Sequence, residues 1–355
     1  KISGTSKQER LAAAPVVAGG RVFVIDTAAR VRAFDAQTGR QVWESFAGDA
    51  SNSARGKGEK RNRKSLFGGG VSVEGDRLFA TNGLGDVVAM NTADGAVIWR
   101  KRPGGPLRGA PALSSGNVYV VSQDNQLFAL RQSDGNVEWT ESGTLEVSGV
   151  FGVAAPAAAQ GTVVAGFSSG ELNAYRYENG RVVWQDALSR TSISTTVGTL
   201  SDIDAAPIID QGRVYAIGSG GRMVALELVT GQRIWEINAG GIATPAIVGE
   251  WVFAVTDDAR LLCIARSNGR VRWVTQLPRW QKAKSKKGPI SWNGPVVAGG
   301  RVIAVSSRGE IAYVSPADGA VQATVKSGAP ISLAPVVANS TLYLLDDKGR
   351  LTAWR

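Results

Sequence analysis

The stretch Ala14-Pro15-Val16-Val17, Gly20-Arg21-Val22-Phe23-Val24, Val31-Arg32-Ala33-Phe34 and Gly39-Arg40-Gln41-Val42-Trp43 is one unit of a pattern that the chain repeats. Its proline stands 28 positions before its tryptophan, and the same 28 separates Pro111 from Trp139, Pro156 from Trp184, Pro207 from Trp235 and Pro245 from Trp273. A further unit keeps the spacing from Val71 to Trp99, another runs from Pro295 to Ala323 with the tryptophan lost, and an eighth starts at Pro335 and stops with the chain. Four positions before each closing residue stands a glycine: Gly39, Gly95, Gly135, Gly180, Gly231, Gly269 and Gly319. Ten positions before it stands a small residue in most units: Ala33, Ala89, Ala129, Ala174, Ala225 and, in the sixth, Cys263.

Within each unit, four apolar, β-branched runs are separated by hairpin punctuation such as Gly19-Gly20, Asp94-Gly95, Asn179-Gly180 and Gln211-Gly212. Four short strands recurring at a fixed period make a propeller blade, because radial repetition leaves only short, protected sheet edges. The expected fold is therefore all-β: one eight-bladed β-propeller of four-stranded antiparallel blades, a single domain over residues 1–355 and a monomer. The tryptophan falls on the outermost strand, where packing between blades buries about 200 Å² of ring. The small residue is expected where neighbouring blades approach closely. The eighth unit has no outer strand of its own, so the ring is expected to close with an N-terminal strand around Ile2. Gly4 matches the glycine five residues after Trp43 and Trp235, which predicts a tryptophan just upstream of Lys1 in a longer precursor.

Composition narrows the chemistry. The chain has no histidine and one cysteine, Cys263, which removes Ser-His-Asp and Cys-His catalysis, the usual zinc sites and any intrachain disulfide. No catalytic residue, metal site or cofactor is predicted; the expected role is binding. Cys263 reads as a buried filler in an alanine slot. The net charge of +10 favours anionic partners, and two segments carry much of it: 55–64 (Arg-Gly-Lys-Gly-Glu-Lys-Arg-Asn-Arg-Lys) and 279–287 (Arg-Trp-Gln-Lys-Ala-Lys-Ser-Lys-Lys). Both follow an outer strand and precede the next inner one, so both leave the same face of the disc. They are expected to be solvated loops; the sharper alternative is a basic rim for anionic lipid or an acidic partner. Nucleic acid is not an expected partner, since Trp280 alone offers a stacking ring among these charges.

The element Ala33-Phe34-Asp35-Ala36-Gln37-Thr38-Gly39-Arg40-Gln41-Val42-Trp43 resembles the tryptophan-docking, PQQ-like repeat of quinoprotein dehydrogenases and their non-enzymatic relatives. Within that group the whole chain resembles the BamB-like family of outer-membrane β-barrel assembly lipoproteins. The most specific stretch is Leu200-Ser201-Asp202-Ile203-Asp204-Ala205-Ala206-Pro207, followed by Val214-Tyr215-Ala216 and Val224-Ala225-Leu226. The resemblance implies a periplasmic protein tethered to the outer membrane by an N-terminal lipid that lies outside this chain. It also implies binding to the periplasmic domains of the barrel insertase, with Asp202 and Asp204 in the contact. The family's second contact element, Leu-x-Leu-Arg, corresponds to Leu145-Glu146-Val147-Ser148, which keeps the apolar pair and has serine in place of arginine.

Read from the residues, Asp202 and Asp204 alternate along an inner-strand entry and so share a face. They form either an acidic patch for a partner's cations or caps for nearby backbone N–H groups. Leu145, Val147, Val150 and Phe151, with Leu200, are the apolar candidates: an exposed docking patch or the start of the next inner strand. The rival function is a quinone-dependent dehydrogenase, whose stacking disulfide between adjacent cysteines one cysteine cannot make. A third reading is an envelope assembly propeller with another partner.

Overall fold

The computed structural model describes residues 1–6, 10–48, 68–144, 153–188 and 202–355. Seven four-stranded antiparallel sheets and one three-stranded sheet succeed one another along it, each with its strands in chain order. The first blade is Val16–Ala18, Arg21–Ile25, Arg30–Asp35 and Gln41–Phe46. The last is Val336–Ala338, Thr341–Leu345 and Leu351–Trp354. In the first seven blades the second and third strands are mostly buried, as in Arg21–Ile25 and Gln126–Arg131, whereas outer strands such as Val137–Ser142 bury little besides the tryptophan. That gradient follows from the architecture: the middle strands are sandwiched between neighbouring blades and the rim strands meet water on one face.

The core consists of seams. Each hydrophobic cluster joins two adjacent blades: Phe23 and Val31 with Leu78 and Val88, Val164 and Leu172 with Val214 and Val224, and so round to Ile303 with Leu342. The circle closes where Leu333 and Leu345 of the last blade meet Val24 of the first, with Ile2 and Leu11 between them.

The tryptophans build these seams by one repeated contact. The ring of Trp43 lies on Gly95 of the next blade, where an added Cβ would come within 2.6 Å of it, and its indole N–H donates to Thr92 O at 2.9 Å. The same pair of contacts joins Trp99 to Gly135 and Gln132 O, Trp139 to Gly180 and Tyr177 O, and Trp184 to Gly231 and Leu228 O. It also joins Trp235 to Gly269 and Arg266 O, and Trp273 to Gly319 and Pro316 O. Each of these receiving glycines has a φ between +71° and +78°, so it both makes the turn and leaves room for the ring.

The small residue has a second reason that the sequence does not reveal. Ala33 is the direct cross-strand partner of Trp43, as Ala89 is of Trp99, Ala129 of Trp139 and Cys263 of Trp273. In the seventh blade the sizes are exchanged: Tyr313 stands opposite Ala323.

The N-terminal segment lies against this last blade. Ile2 N–H donates to Gly349 O at 2.8 Å and Thr5 N–H to Asp347 O at 2.6 Å. The bond from Ile2 copies the one that ends an outer strand elsewhere, such as Ala47 N–H to Ala29 O and Leu188 N–H to Gly170 O. Ile2 therefore takes the place of Ala47, and Ser3, not Gly4, corresponds to Gly48; the match read from sequence is displaced by one position. Gly4 is needed for another reason, since a Cβ there would come within 2.5 Å of Asp347 O.

Cys263 is fully buried, and burial pushes its thiol up to about 11. Reaction with an aromatic disulfide reagent at pH 8 should release no chromophore from the native chain and one equivalent after unfolding in guanidinium.

Candidate partner-binding site

Four antiparallel strands return the chain to the face from which it entered the blade, so the inter-blade connectors share one face with the turns between second and third strands. Leu188 N–H, at the start of one connector, accordingly donates to Gly170 O in such a turn. The conspicuous polar group on this face is a buried cation. Arg108, 1% exposed, sits in the connector that enters the third blade, held by its own N–H to Val121 O at 2.8 Å and by Gly69 N–H to its carbonyl, also at 2.8 Å. Its guanidinium reaches past the third blade. It donates to Gly166 O in the fourth at 3.2 Å, and to Ile203 O and an Asp204 carboxylate oxygen at the head of the fifth, both at 3.1 Å.

Asp202 and Asp204 are thus adjacent to the cation that the residue-based reading sought, but the cation belongs to this chain. Asp202 is 1% exposed, and its carbonyl accepts the N–H of Ser219 at 3.0 Å and its hydroxyl at 2.9 Å. The Asp204 side chain is 10% exposed and ion-paired to Arg108. Between them Ile203 is buried in the seam of the fourth and fifth blades, close enough to Gly166 that a Cβ there would stand 2.4 Å from its Cγ2. Neither carboxylate forms open acidic surface; both lie in the stem from which the preceding connector departs.

Burial dominates the electrostatics of the pair. It raises the Asp204 carboxyl above its ordinary value, with Arg108 pulling down and Asp202 and Asp257 pushing up. It lowers the Arg108 guanidinium, with attraction to Asp204 and Asp202 in opposition. Arginine stays cationic even so, and it faces both aspartates. Nearby Asp257 is likewise raised by burial and by Asp258.

Sequence reasoning missed Arg108. The signal was present: Arg108 stands three positions before Pro111 and Asp204 three before Pro207, so the two occupy one repeat position. In the other units that position holds Ala12, Gly68, Val153, Ile242, Trp292 and Ser332, all uncharged.

Leu145, Val147, Val150, Phe151 and Leu200, and the basic segment 55–64, lie outside the described residues. The second basic segment is a folded hairpin, not a plain loop. Trp280–Lys282 pairs with Lys287–Pro289 across a 3-10 turn at Ala283–Ser285. Its base is pinned by Trp292, 4% exposed, whose indole N–H donates to Pro278 O at 2.9 Å. The Arg279 guanidinium lies 5.5 Å from the ring centre of Trp280. Among the described residues no group of three or more His, Cys, Asp or Glu could hold a metal ion, and no helix is long and apolar enough to cross a membrane.

Comparison with known proteins agrees with the ring. The family model described as "Outer membrane protein assembly factor BamB" matches residues 5–60, 47–275 and 278–354. The assembly factor BamB of Yersinia pestis is 28% identical over 342 residues, 96% of this chain and 83% of that protein. That of Escherichia coli K12 is 28% identical over 331 residues, 93% of this chain and 81% of that protein. Among solved structures, BamB from Moraxella catarrhalis superposes with a TM-score of 0.78 over 99% of this chain and 97% of that one, at 17% identity. A europium-containing methanol dehydrogenase superposes with a TM-score of 0.73 over 96% of this chain and 83% of that one, at 14% identity, which is a likeness of fold alone.

Proposed function

Because this chain belongs to the family of the outer membrane protein assembly factor BamB, we propose that it is a non-enzymatic scaffold of the machinery that assembles outer-membrane β-barrels. It works in the periplasm, held near the outer membrane by an N-terminal lipid, and binds the periplasmic domains of the barrel insertase through its inter-blade connectors. The observation that carries this reading is the Arg108 anchor. Three blades are tied together on the connector face by one buried guanidinium, so the connectors beside it leave from a fixed stem.

Rigid stems under contact loops lower the ordering cost of association. Asp202 and Asp204 then act as positioning residues at the end of the connector that carries Leu200, and Leu145, Val147, Val150 and Phe151 are the apolar candidates of the connector before it. The apolar side chains of these connectors make the contact.

The test is capture of the insertase's periplasmic domains by the full chain, an Asp202→Ala/Asp204→Ala variant and a Leu145→Glu/Phe151→Glu variant. Capture should fall at least tenfold for both, while the second variant keeps the wild-type melting curve. Equal capture by all three would move the contact off this face, and no capture by any would sink the insertase as partner.

A further inference from the structure

We propose that the hairpin over residues 279–290, between the sixth and seventh blades, docks the disc on a membrane surface rich in anionic phospholipid. The chain leaves the sixth blade at Gln276 and enters the seventh at Trp292, and the segment between them is built as a fixed projection. Leu277, Ile290 and Trp292 are buried together in the seam of the two blades. Ile290 N–H donates to Arg279 O at 2.9 Å, which closes the base of the hairpin, and Trp280 stands opposite Pro289 just above it. Beyond this waist every residue from Gln281 to Lys287 is exposed.

Charge dominates what this tip offers. Lys282, Lys284, Lys286 and Lys287 surround the turn, Arg279 stands at its base, and residues 259–309 contain no aspartate or glutamate to balance them. Among the described residues none of the four lysines is paired with a carboxylate. Two of them stand where the local fold favours another residue. Lys282 and Lys287 are direct cross-strand partners, and like charges in that relation oppose the pairing. Lys286 ends the 3-10 turn at φ 49° and ψ 40°, a left-handed conformation that glycine adopts without a Cβ clash. An anionic surface over the tip offsets the repulsion, which gives the arrangement a use that the ring itself does not supply.

The residue types specify the surface. Lysine is a hydrated point charge on a flexible stem, whereas recognition of a fixed carboxylate or phosphate favours the planar fork of arginine. Four lysines around a turn whose other side chains are Ala283 and Ser285 suit mobile headgroups. A tip without a large apolar side chain adsorbs to such a surface and does not insert. Each lysine near an anionic leaflet strengthens binding about fivefold, and an attraction of this kind is screened by salt.

The test is co-sedimentation of the full chain with vesicles of phosphatidylcholine alone, or of phosphatidylcholine and phosphatidylglycerol in equal parts. The anionic vesicles should bind saturably, the neutral ones should not, and added salt should release the chain. Lys282→Thr/Lys286→Gly removes the facing charge and suits the left-handed backbone. It should weaken binding by about tenfold or more while the melting temperature holds or rises. Replacing all four lysines by glutamine should weaken binding by about a hundredfold or more. Equal binding to neutral vesicles, no binding to either kind, or anionic binding that both variants keep would overturn the proposal. So would tighter binding to polyglutamate than to anionic vesicles at equal charge concentration, which would make an acidic protein the occupant.

Discussion

Replacing Arg108 by alanine should destabilise the ring by about 3–5 kcal/mol in urea unfolding, because it leaves buried carboxylates without their cation. The pH dependence identifies the cause. Burial holds the Asp204 carboxyl above its ordinary value, and without Arg108 it rises further. A carboxyl whose folded pKa is raised favours the folded state when protonated, and that benefit is lost as pH rises through the folded pKa. The deficit of Arg108→Ala should therefore be small near pH 4 and full at pH 7. A cavity alone would give the same deficit at both. Arg108→Met combined with Asp204→Asn should recover part of the loss at pH 7, since removing both charges costs less than stranding one. Insertase capture by Arg108→Ala should weaken with the loosening of the stem, even at temperatures where the ring is still folded.

Trp184→Ala should cost about 3–5 kcal/mol, the range for deleting a buried aromatic ring. The ring is 8% exposed, packs on Gly231 and donates its indole N–H to Leu228 O at 2.7 Å. Truncation would leave a cavity in the seam between the fourth and fifth blades and an unpaired carbonyl. Trp184→Phe should cost less, because it keeps much of the volume and loses the hydrogen bond. The seventh blade is the internal comparison: Ala323 occupies the same place, and Tyr313 opposite it supplies bulk from the neighbouring strand. Exchange of Ala323 for glycine should therefore change stability by less than about 1 kcal/mol, the scale of a glycine's backbone entropy. Urea midpoints for the three variants decide the ranking, and a Trp184→Ala midpoint close to wild type would remove the seams as the source of the ring's stability.

The sequence alone determined the ring. Strand alternation, hairpin residues and a period closed by Gly-x-x-x-Trp are local signals, and each of six tryptophans lies between blades as its place on the outermost strand predicts, while its seat on the next unit's glycine came from the structure. The role of Cys263 as a buried filler was legible for the same reason, as a departure from alanine at a fixed repeat position. The fate of Asp202 and Asp204 was not. Alternation put both on one face, but whether a carboxylate meets solvent or a buried guanidinium depends on a partner 96 residues away in the case of Arg108 and Asp204. Only the packing of three successive blades brings those residues together. Local periodicity fixes which residues turn inward within a blade and marks Arg108 and Asp204 as the two charged residues at one repeat position, whereas which blades that position brings into contact is set by the tertiary packing.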